Sequence, residues 1–173
     1  MKVLYLSIFF IFLSLLILGA IWGAIWLPTR KRDYKRIGRL VKFLPGMIFY
    51  DLGSGSGHLL FHFSRKYNIK CIGIEISPIL YLYSKAKSIF YEKVEIRYGN
   101  LFNQNLSDAD VIYCFLHPKM YGLLRERLKS IRNENLLIVL FAWPFENIKP
   151  LKIVQEEGET LKETLGNGDK RIP

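Results

Sequence analysis

The sequence is poor in the residues that build metal centres and covalent cross-links. Its only two cysteines are Cys71 and Cys114, and each lies within an apolar run. The chain has no CxxC or HExxH motif, and His58 and His62, which lie one helical turn apart, have no third ligand residue beside them. Two separate cysteines are most simply explained as reduced side chains of an apolar core. We therefore expect this protein to bind no metal.

Charged residues are absent from Val3 to Thr29, and this absence predicts a membrane span. About 25 helical residues reach roughly 37 Å, which is enough to cross the hydrocarbon core of a bilayer with some tilt. Aromatic residues lie near both ends of the stretch, as is typical of membrane interfaces; they are Tyr5, Trp22 and Trp26. We predict that residues 1–29 form a transmembrane anchor, with residues 3–29 in contact with the bilayer.

Two alternatives compete with an uncleaved anchor. A cleaved signal peptide would have a shorter apolar region and a more basic start than the single residue Lys2 provides. A helix of the protein core would rarely be apolar on every face over this length. Both alternatives fit the sequence less well than a single-pass anchor does.

Acidic residues are scarce directly after the apolar stretch. Seven basic side chains between residues 30 and 42 are balanced by one acid, Asp33, which gives a local charge of +6 within a total of +10. The positive-inside rule then places the C-terminal part on the cytoplasmic side. A nucleic-acid-binding protein would more often carry its basic excess across a folded face, so we expect no nucleic-acid partner. Residues 30–46 are predicted to form a basic juxtamembrane helix, ended by Pro45 and Gly46.

Beyond residue 46, short apolar runs alternate with amphipathic segments. The pattern predicts strands at 47–53, 70–76, 93–99, 110–116, 135–143 and about 151–157, and helices at 56–67, 77–91 and 118–131. This alternation is typical of βαβ units. For residues 47–173 we therefore predict a Rossmann-like, doubly wound α/β domain with a mainly parallel sheet. The polar residues 163–173 are expected to fray.

Three glycines, Gly53, Gly55 and Gly57, join the first predicted strand to the first helix of this domain. Bare backbone at this place allows a tight turn and the close approach of a ligand. A dinucleotide fingerprint would read GxGxxG, but the third glycine comes one residue early, and no Walker lysine follows the loop. The spacing therefore argues against a nicotinamide dinucleotide and excludes a P-loop.

Two carboxylates accompany the glycine loop. Asp51 precedes the first glycine by two residues, and an anion there would repel a pyrophosphate but would suit a ligand with an ammonium group. Glu75 closes the second strand, where a carboxylate accepts hydrogen bonds from ribose hydroxyls. On its own, Glu75 would also fit a solvated strand end. Together the two acids fit S-adenosylmethionine better than NAD.

These motifs belong to a longer stretch that resembles a known family. The segments YDLGSGSGHLL, CIGIEISPILYLYS and VEIRYGNLFNQNLSDADVIYCFLHPKM are similar to the seven-β-strand class I methyltransferases. With LPT before them and FAWPFENIKP after, they more narrowly resemble the membrane-anchored protein-lysine methyltransferases that act on ATP synthase subunit c or the ADP/ATP carrier. The resemblance runs from about Leu27 to Pro150.

The resemblance implies S-adenosylmethionine as the cofactor. The residues that it assigns to cofactor binding are Asp51, Gly53, Ser54, Gly55, Gly57 and Glu75, with Asn100 and Leu101 near the adenine. The sequence departs from the family pattern in two places. Relatives usually have Gly-Asp-Gly-Arg where this chain has Gly55-Ser56-Gly57-His58, and an Asp where it has Asn100. The short C-terminal part suggests that the last antiparallel strands are reduced.

The segment YCFLHPKMY closes the fourth strand, beside the expected position of the transferred methyl group. We predict His117 and Tyr121 as catalytic residues, with His117 accepting the proton of the substrate. The predicted substrate contacts are Phe115, Pro118 and Trp143. Alternatives stay open, because His117 also fits a loop histidine that positions Lys119, and Trp143 also fits packing at the sheet edge.

The sequence thus predicts a membrane-anchored, S-adenosylmethionine-dependent methyltransferase. The expected acceptor is a lysine of a membrane or membrane-associated protein, since an anchor raises the effective concentration of such substrates. One alternative is a small-molecule methyltransferase that acts on a lipid or quinone. Another is a catalytically inert, membrane-tethered module that binds the cofactor. An NAD-dependent reductase is a more distant possibility, because of the early third glycine.

Overall fold

The computed structural model describes residues 2–21, 29–133, 135–145, 148–154 and 162–167. These residues form five α-helices and seven strands. In chain order they are α1 Lys2–Ile21, α2 Lys31–Leu40, β1 Ile48–Leu52, α3 His58–Tyr67, β2 Lys70–Glu75, α4 Pro78–Ser88, β3 Val94–Tyr98, β4 Val111–Cys114, α5 Tyr121–Lys129, β5 Leu137–Ala142, β6 Lys152–Val154 and β7 Lys162–Asn167. Short 3₁₀ helices cover Leu101–Asn103 and Pro118–Met120.

The strands form one sheet with the order β3-β2-β1-β4-β5-β7-β6. Strands β1 to β5 pair in parallel, whereas β7 is antiparallel to both β5 and β6. The prediction of a mainly parallel, Rossmann-like α/β sheet is confirmed for these five strands. The strand order reverses between β1 and β4, and in sheets of this kind ligands bind at the carboxyl ends of the strands at that point.

Each face of the sheet carries its own apolar core. Along β1, Phe49 points into one core and Tyr50 into the other, and both are fully buried. The first core includes residues of α2, among them Tyr34, Ile37 and Leu40. Because α2 buries its apolar side in this core, the basic segment after residue 30 packs against the sheet. The predicted domain boundary at residue 46 stays a prediction.

Two elements differ from the sequence-based expectation. Helix α2 ends at Leu40, since Val41 is already extended at φ −112°, so Leu44 does not continue the helical face and lies half exposed. The expectation that the chain frays from residue 163 is wrong for residues 163–167, because they belong to strand β7, which pairs with β5 over six residues. The pairing uses backbone groups, so a polar segment that contains glycine adds to an open sheet edge without any apolar alternation.

The predicted anchor lies only partly within the described residues. Helix α1 covers its first part, whereas residues 22–28, with Trp22 and Trp26, lie outside the described ranges. Among the described residues, no helix combines the length and the apolar composition that crossing a bilayer requires.

Gly73 in the middle of β2 allows the glycine loop and α3 to approach the sheet. A Cβ atom at this position would lie 2.5 Å from Leu60 Cδ1 and 2.6 Å from Ser54 Oγ. We predict that Gly73→Ala lowers the free energy of unfolding by about 1–3 kcal/mol, because the added methyl overfills a packed site. Urea-induced unfolding of the purified protein would measure the change.

Gly122 provides the matched control for this substitution. A Cβ atom at Gly122, in the first turn of α5, would meet no atom within 4 Å. Gly122→Ala should therefore stabilise the protein, by up to about 1 kcal/mol, through helix propensity alone. Equal effects of the two substitutions would contradict the packing role of Gly73.

Candidate active site

Backbone hydrogen bonds fasten the glycine loop to the end of β2. The amide nitrogens of Gly53 and Ser54 both donate to the carbonyl oxygen of Ile74, at 2.9 and 3.0 Å. Gly57, at φ +72°, is the N-cap of α3, and its amide donates to the Ser54 carbonyl at 2.9 Å. This left-handed backbone favours glycine, and a Cβ at Gly57 would also lie 3.0 Å from the ring of Phe61. The loop is thus a tight, bare turn between strand and helix.

The Glu75 carboxylate binds the glycine loop through a hydrogen bond. Its Oε2 accepts a hydrogen bond from the Gly55 amide and its Oε1 one from the Ser77 amide, both at 2.7 Å. Burial raises the pKa of the Glu75 carboxyl, and these amide bonds partly oppose the rise. A carboxylate has about four lone-pair sites. Glu75 therefore keeps acceptor capacity for hydroxyl groups of a ligand after it has bound the loop.

Asp51, at the end of β1, is a buried carboxyl group with no hydrogen-bond partner in the part of the chain that the structure describes. The residue is 5% exposed. Burial, followed by the nearby Glu75 charge, raises the pKa of Asp51 to about 8. A second buried acid beside Glu75 is unfavourable in the ionised form unless a cation joins it. The site is therefore suited to a ligand that brings an ammonium group.

A cleft opens above Asp51 and the glycine loop. Its walls are formed by the loop and by side chains of the first core; the lining residues are Thr29, Tyr34, Asp51, Gly53, Ser54, Gly55, Ser56, His58, Leu59, Tyr113 and Phe115. Two of these residues are hydrogen-bonded to each other, since the hydroxyls of Thr29 and Tyr113 lie 3.2 Å apart. The structure thus brings five of the predicted site residues to one cleft, namely Asp51, Gly53, Ser54, Gly55 and Phe115.

Thr29, Tyr34 and Tyr113 are lining residues that the sequence reasoning missed. Tyr34 follows the apolar periodicity of α2, and Tyr113 lies within the apolar run of β4, so both had the pattern of core residues. Thr29 belongs to the LPT motif of the family resemblance, which was the one available signal for its role.

His58 also lies at the cleft, where relatives usually carry an arginine. It is the first residue of α3, and its Nδ1 lies 3.1 Å from Ser56 Oγ. Partial burial, with smaller contributions from Lys87 and Lys31, lowers the pKa of His58. At neutral pH the imidazole therefore provides less positive charge than an arginine would.

Asn100 and Leu101 follow β3 at the same edge of the sheet. The Asn100 side chain caps the 3₁₀ turn, with its Oδ1 accepting from the Phe102 amide at 3.0 Å, and Leu101 is buried. Neither residue lines the cleft at Asp51. Their predicted contact with an adenine ring stays a prediction.

The two predicted catalytic residues occupy different environments. His117 is exposed, and its Nδ1 accepts a hydrogen bond from the Lys119 amide at 3.4 Å. Tyr121 is buried, and its hydroxyl lies within 3.5 Å of the Cys114 carbonyl and 3.3 Å of the Phe141 carbonyl. Burial raises the pKa of Tyr121. Tyr121 therefore joins the ends of β4 and β5, and neither residue lines the cleft.

The three predicted substrate residues do not all lie at the cleft. Phe115 lines the cleft, and its ring stacks on Trp143 with centroids 6.3 Å apart and planes at 21°. Pro118 is exposed and starts the 3₁₀ turn after His117. Phe115 and Trp143 thus form an aromatic pair beside the cleft, with Pro118 outside it.

Comparisons with known proteins agree with this geometry. The family model of the ANTKMT methyltransferase domain matches residues 51–152. A protein-lysine N-methyltransferase of Saccharolobus islandicus (strain REY15A) is 23% identical over 81% of this chain and 89% of its own length. The crystal structure of an RNA methyltransferase from Salinibacter ruber with S-adenosyl-L-homocysteine is 26% identical, with a TM-score of 0.74 over 85% of this chain and 97% of that one. A Geobacter sulfurreducens SAM-dependent methyltransferase shares the fold, with a TM-score of 0.55.

The strand order, the glycine loop and the two buried acids, together with these matches, define a class I methyltransferase that uses S-adenosylmethionine. The residues present fit this cofactor, because an ammonium group would stabilise the ionised form of Asp51 and Glu75 retains acceptor capacity for hydroxyls. The chain belongs to the ANTKMT methyltransferase domain family.

Asp51 makes the stability of the protein depend on pH. The pKa of Asp51 rises from an ordinary 3.8 to about 8 in the folded state, so the unfolded chain loses its proton first as the pH rises. The contribution of this group to stability is therefore fully present below about pH 4 and falls towards pH 8, by at most about 1.4 kcal/mol per pH unit. Asp51→Asn should remove this dependence and be the more stable protein at pH 8. Urea unfolding of both proteins between pH 4 and 8 would test this, and parallel curves would contradict it.

Cofactor affinity should depend on pH in the opposite direction. The ammonium group of S-adenosylmethionine favours ionised Asp51, so binding near pH 7 should release the proton of Asp51. We expect the dissociation constant to fall from pH 6 to 7.5, by up to about tenfold per unit. Calorimetry in buffers of different ionisation enthalpy would measure both the affinity and the proton release. In Asp51→Asn binding should be weaker and release no proton from this site; equal proton release in both proteins would refute the role of Asp51.

Proposed function

We propose that this methyltransferase is a membrane-anchored protein-lysine N-methyltransferase. The observation that carries the lysine acceptor is the similarity over most of both chains to a curated protein-lysine N-methyltransferase, within a family whose domain matches residues 51–152. The anchor is supported by the uncharged stretch from Val3 to Thr29 and by the large apolar side chains that α1 exposes.

In this proposal the protein binds two polar parts of the cofactor, its amino-acid part and its ribose. Asp51 would bind the ammonium group, the loop from Gly53 to Gly57 would hold the amino-acid part, and Glu75 would accept from the ribose hydroxyls. Asn100 and Leu101 would contact the adenine. When bound, S-adenosylmethionine supplies an electrophilic methyl group on a sulfonium centre. Positioning of the acceptor amine against it is then the main task of the protein.

The acceptor lysine must lose a proton before it reacts, since a lysine in water has a pKa near 10.4. Removal from water penalises the ammonium form and lowers that pKa. Tyr34, Tyr113 and Phe115 line the cleft, and their rings would exclude water from an amine bound there. His117 follows β4 at the same edge of the sheet, and its Nδ1 is engaged by the Lys119 amide, so Nε2 is the nitrogen that would take the proton.

The proposed anchor sets the location of the enzyme. The basic side chains between residues 30 and 42 would lie at the cytoplasmic surface and keep the catalytic domain on that side. Thr29, the last residue of the proposed anchor, also lines the cleft. The cleft would therefore open close to the bilayer, where membrane proteins present their lysines.

An RNA acceptor is the second candidate. The observation in its favour is the similarity to a solved RNA methyltransferase over nearly the whole length of that protein. The basic residues after residue 30 would suit a phosphate backbone, although α2 buries part of this segment against the sheet. A lipid or quinone acceptor is compatible with the proposed anchor.

Labelling of native membranes would separate these acceptors. The full-length protein is incubated with native membranes and S-adenosylmethionine labelled in the methyl group, and the label is followed into protein, nucleic acid and solvent-extractable fractions. We expect the label in protein, and acid hydrolysis should release it as methylated lysine. Label that ribonuclease removes would indicate the RNA acceptor, and label in the solvent extract would indicate a lipid or quinone.

Two matched substitutions provide the controls for this experiment. Asp51→Asn changes an acid to an amide in the cofactor site and should reduce the label by at least about tenfold, because an ion pair with the cofactor is lost. Glu126→Gln makes the same chemical change on the exposed side of α5. This variant should transfer the same amount of label as the wild type. Undiminished label with Asp51→Asn would refute the assigned site.

A further inference from the structure

The backbone is strained where β5 ends. Ala142 has φ +74°, and the amide of Trp143 donates to the carbonyl oxygen of Phe141 at 3.0 Å. A hydrogen bond over three residues with this sign of φ is a γ-turn of the rare, strained kind. Among the described residues one other non-glycine residue has positive φ, Asn68, and it occupies the C-cap of α3, where this conformation is common.

Interactions on both sides hold the strained turn in place. The hydroxyl of Tyr121 donates to the carbonyl oxygen of Phe141 inside the turn. The ring of Phe141 packs edge-on against Phe115 at 4.6 Å, and Ala142 packs against the core and pairs with Lys162 of β7. Strain persists where surrounding structure fixes it in this way, and such sites cluster where function requires a defined geometry.

The turn determines where the Trp143 indole lies. The indole is 38% exposed, stacks on Phe115 and meets the edge of Tyr121 at 6.4 Å. Phe115 in turn lines the cleft. An extended residue 142 would continue the direction of β5 and carry Trp143 away from Phe115. The strained turn thus adds an exposed aromatic face to the rim of the cleft, at the carboxyl ends of β4 and β5.

We propose that the γ-turn at Ala142 is a positioning device that holds Trp143 against Phe115 as the outer wall of the methyl-acceptor channel. The acceptor that this wall fits is a long alkylamine, since an exposed indole face packs against the aliphatic stem of such a side chain. This inference rests on the proposed function, in which the acceptor is a lysine. It assigns Ala142 a role through Trp143 and none in contact with the acceptor.

Substitutions at Ala142 test the requirement for positive φ. Glycine adopts this conformation without strain, whereas a β-branched residue strongly disfavours it. Ala142→Val should therefore release Trp143, and Ala142→Gly should retain its position. Substituting Trp22 and Trp26 by Phe leaves Trp143 as the single tryptophan. In that background, quenching of tryptophan fluorescence by acrylamide should increase in Ala142→Val and stay near the parent value in Ala142→Gly.

The kinetic readout uses the rate of methyl transfer at varied concentrations of native membrane protein. Ala142→Val and Trp143→Ala should each raise the half-saturating concentration about twofold to tenfold, as expected when an ordered side chain is lost from a binding site. The maximal rate should change less than this, and the affinity for S-adenosylmethionine, measured by calorimetry, should be unchanged. Ala142→Gly should restore half-saturation to within about twofold of the wild type.

Asn68 provides the control for general loss of stability. Asn68→Val places the same β-branched residue at the other positive-φ position, on the far side of α3 from the cleft loop. It should lower the unfolding midpoint without changing half-saturation or Trp143 quenching. Equal half-saturation in Ala142→Val and the wild type would overturn the proposal, as would equal effects of Ala142→Val and Asn68→Val. If no acceptor is methylated, the proposed function fails. Unchanged quenching in Ala142→Val would separately refute the proposal that the turn positions Trp143.

Discussion

The site depends on one electrostatic constraint, which is that two carboxyl groups are buried close together at the ends of β1 and β2. Glu75 is compensated by amides of the glycine loop and of the segment before α4, whereas Asp51 has no such partner among the described residues. The fold therefore carries an unfavourable interaction that a cationic ligand relieves. The backbone hydrogen bonds of the loop and its close packing over Gly73 hold the loop against the end of β2, beside the two acids.

A second group of interactions joins the ends of β4 and β5. The Tyr121 hydroxyl bridges their carbonyl groups, and the rings of Phe115, Phe141 and Trp143 pack around it. One half of the site is thus built from charge and backbone amides, and the other from aromatic faces. This division suits the two partners of the proposed reaction, because a polar cofactor needs hydrogen bonds and the proposed lysine acceptor, which must be neutral, needs exclusion from water.

The sequence predicted the parallel strands, the glycine loop and both acids, because each has a local signal in apolar runs, glycine spacing or strand-end position. It did not predict β7, whose pairing depends on the open edge of β5 and not on its own side chains. It also missed Tyr34 and Tyr113, since a residue that lines a cleft from within a core element has the same periodicity as its buried neighbours. The positive φ of Ala142 had no signal, because alanine is not a residue that marks such turns.

The position of β7 has a consequence for the order in which the domain forms. β7 lies between β5 and β6 in the sheet, although both precede it in the chain. During synthesis, β5 therefore presents an unpaired edge until residues 162–167 have left the ribosome, and β6 has no neighbour to pair with before then. Open edges of this kind recruit other strands. The nascent domain is thus most prone to aggregation in the interval between the synthesis of β5 and that of β7.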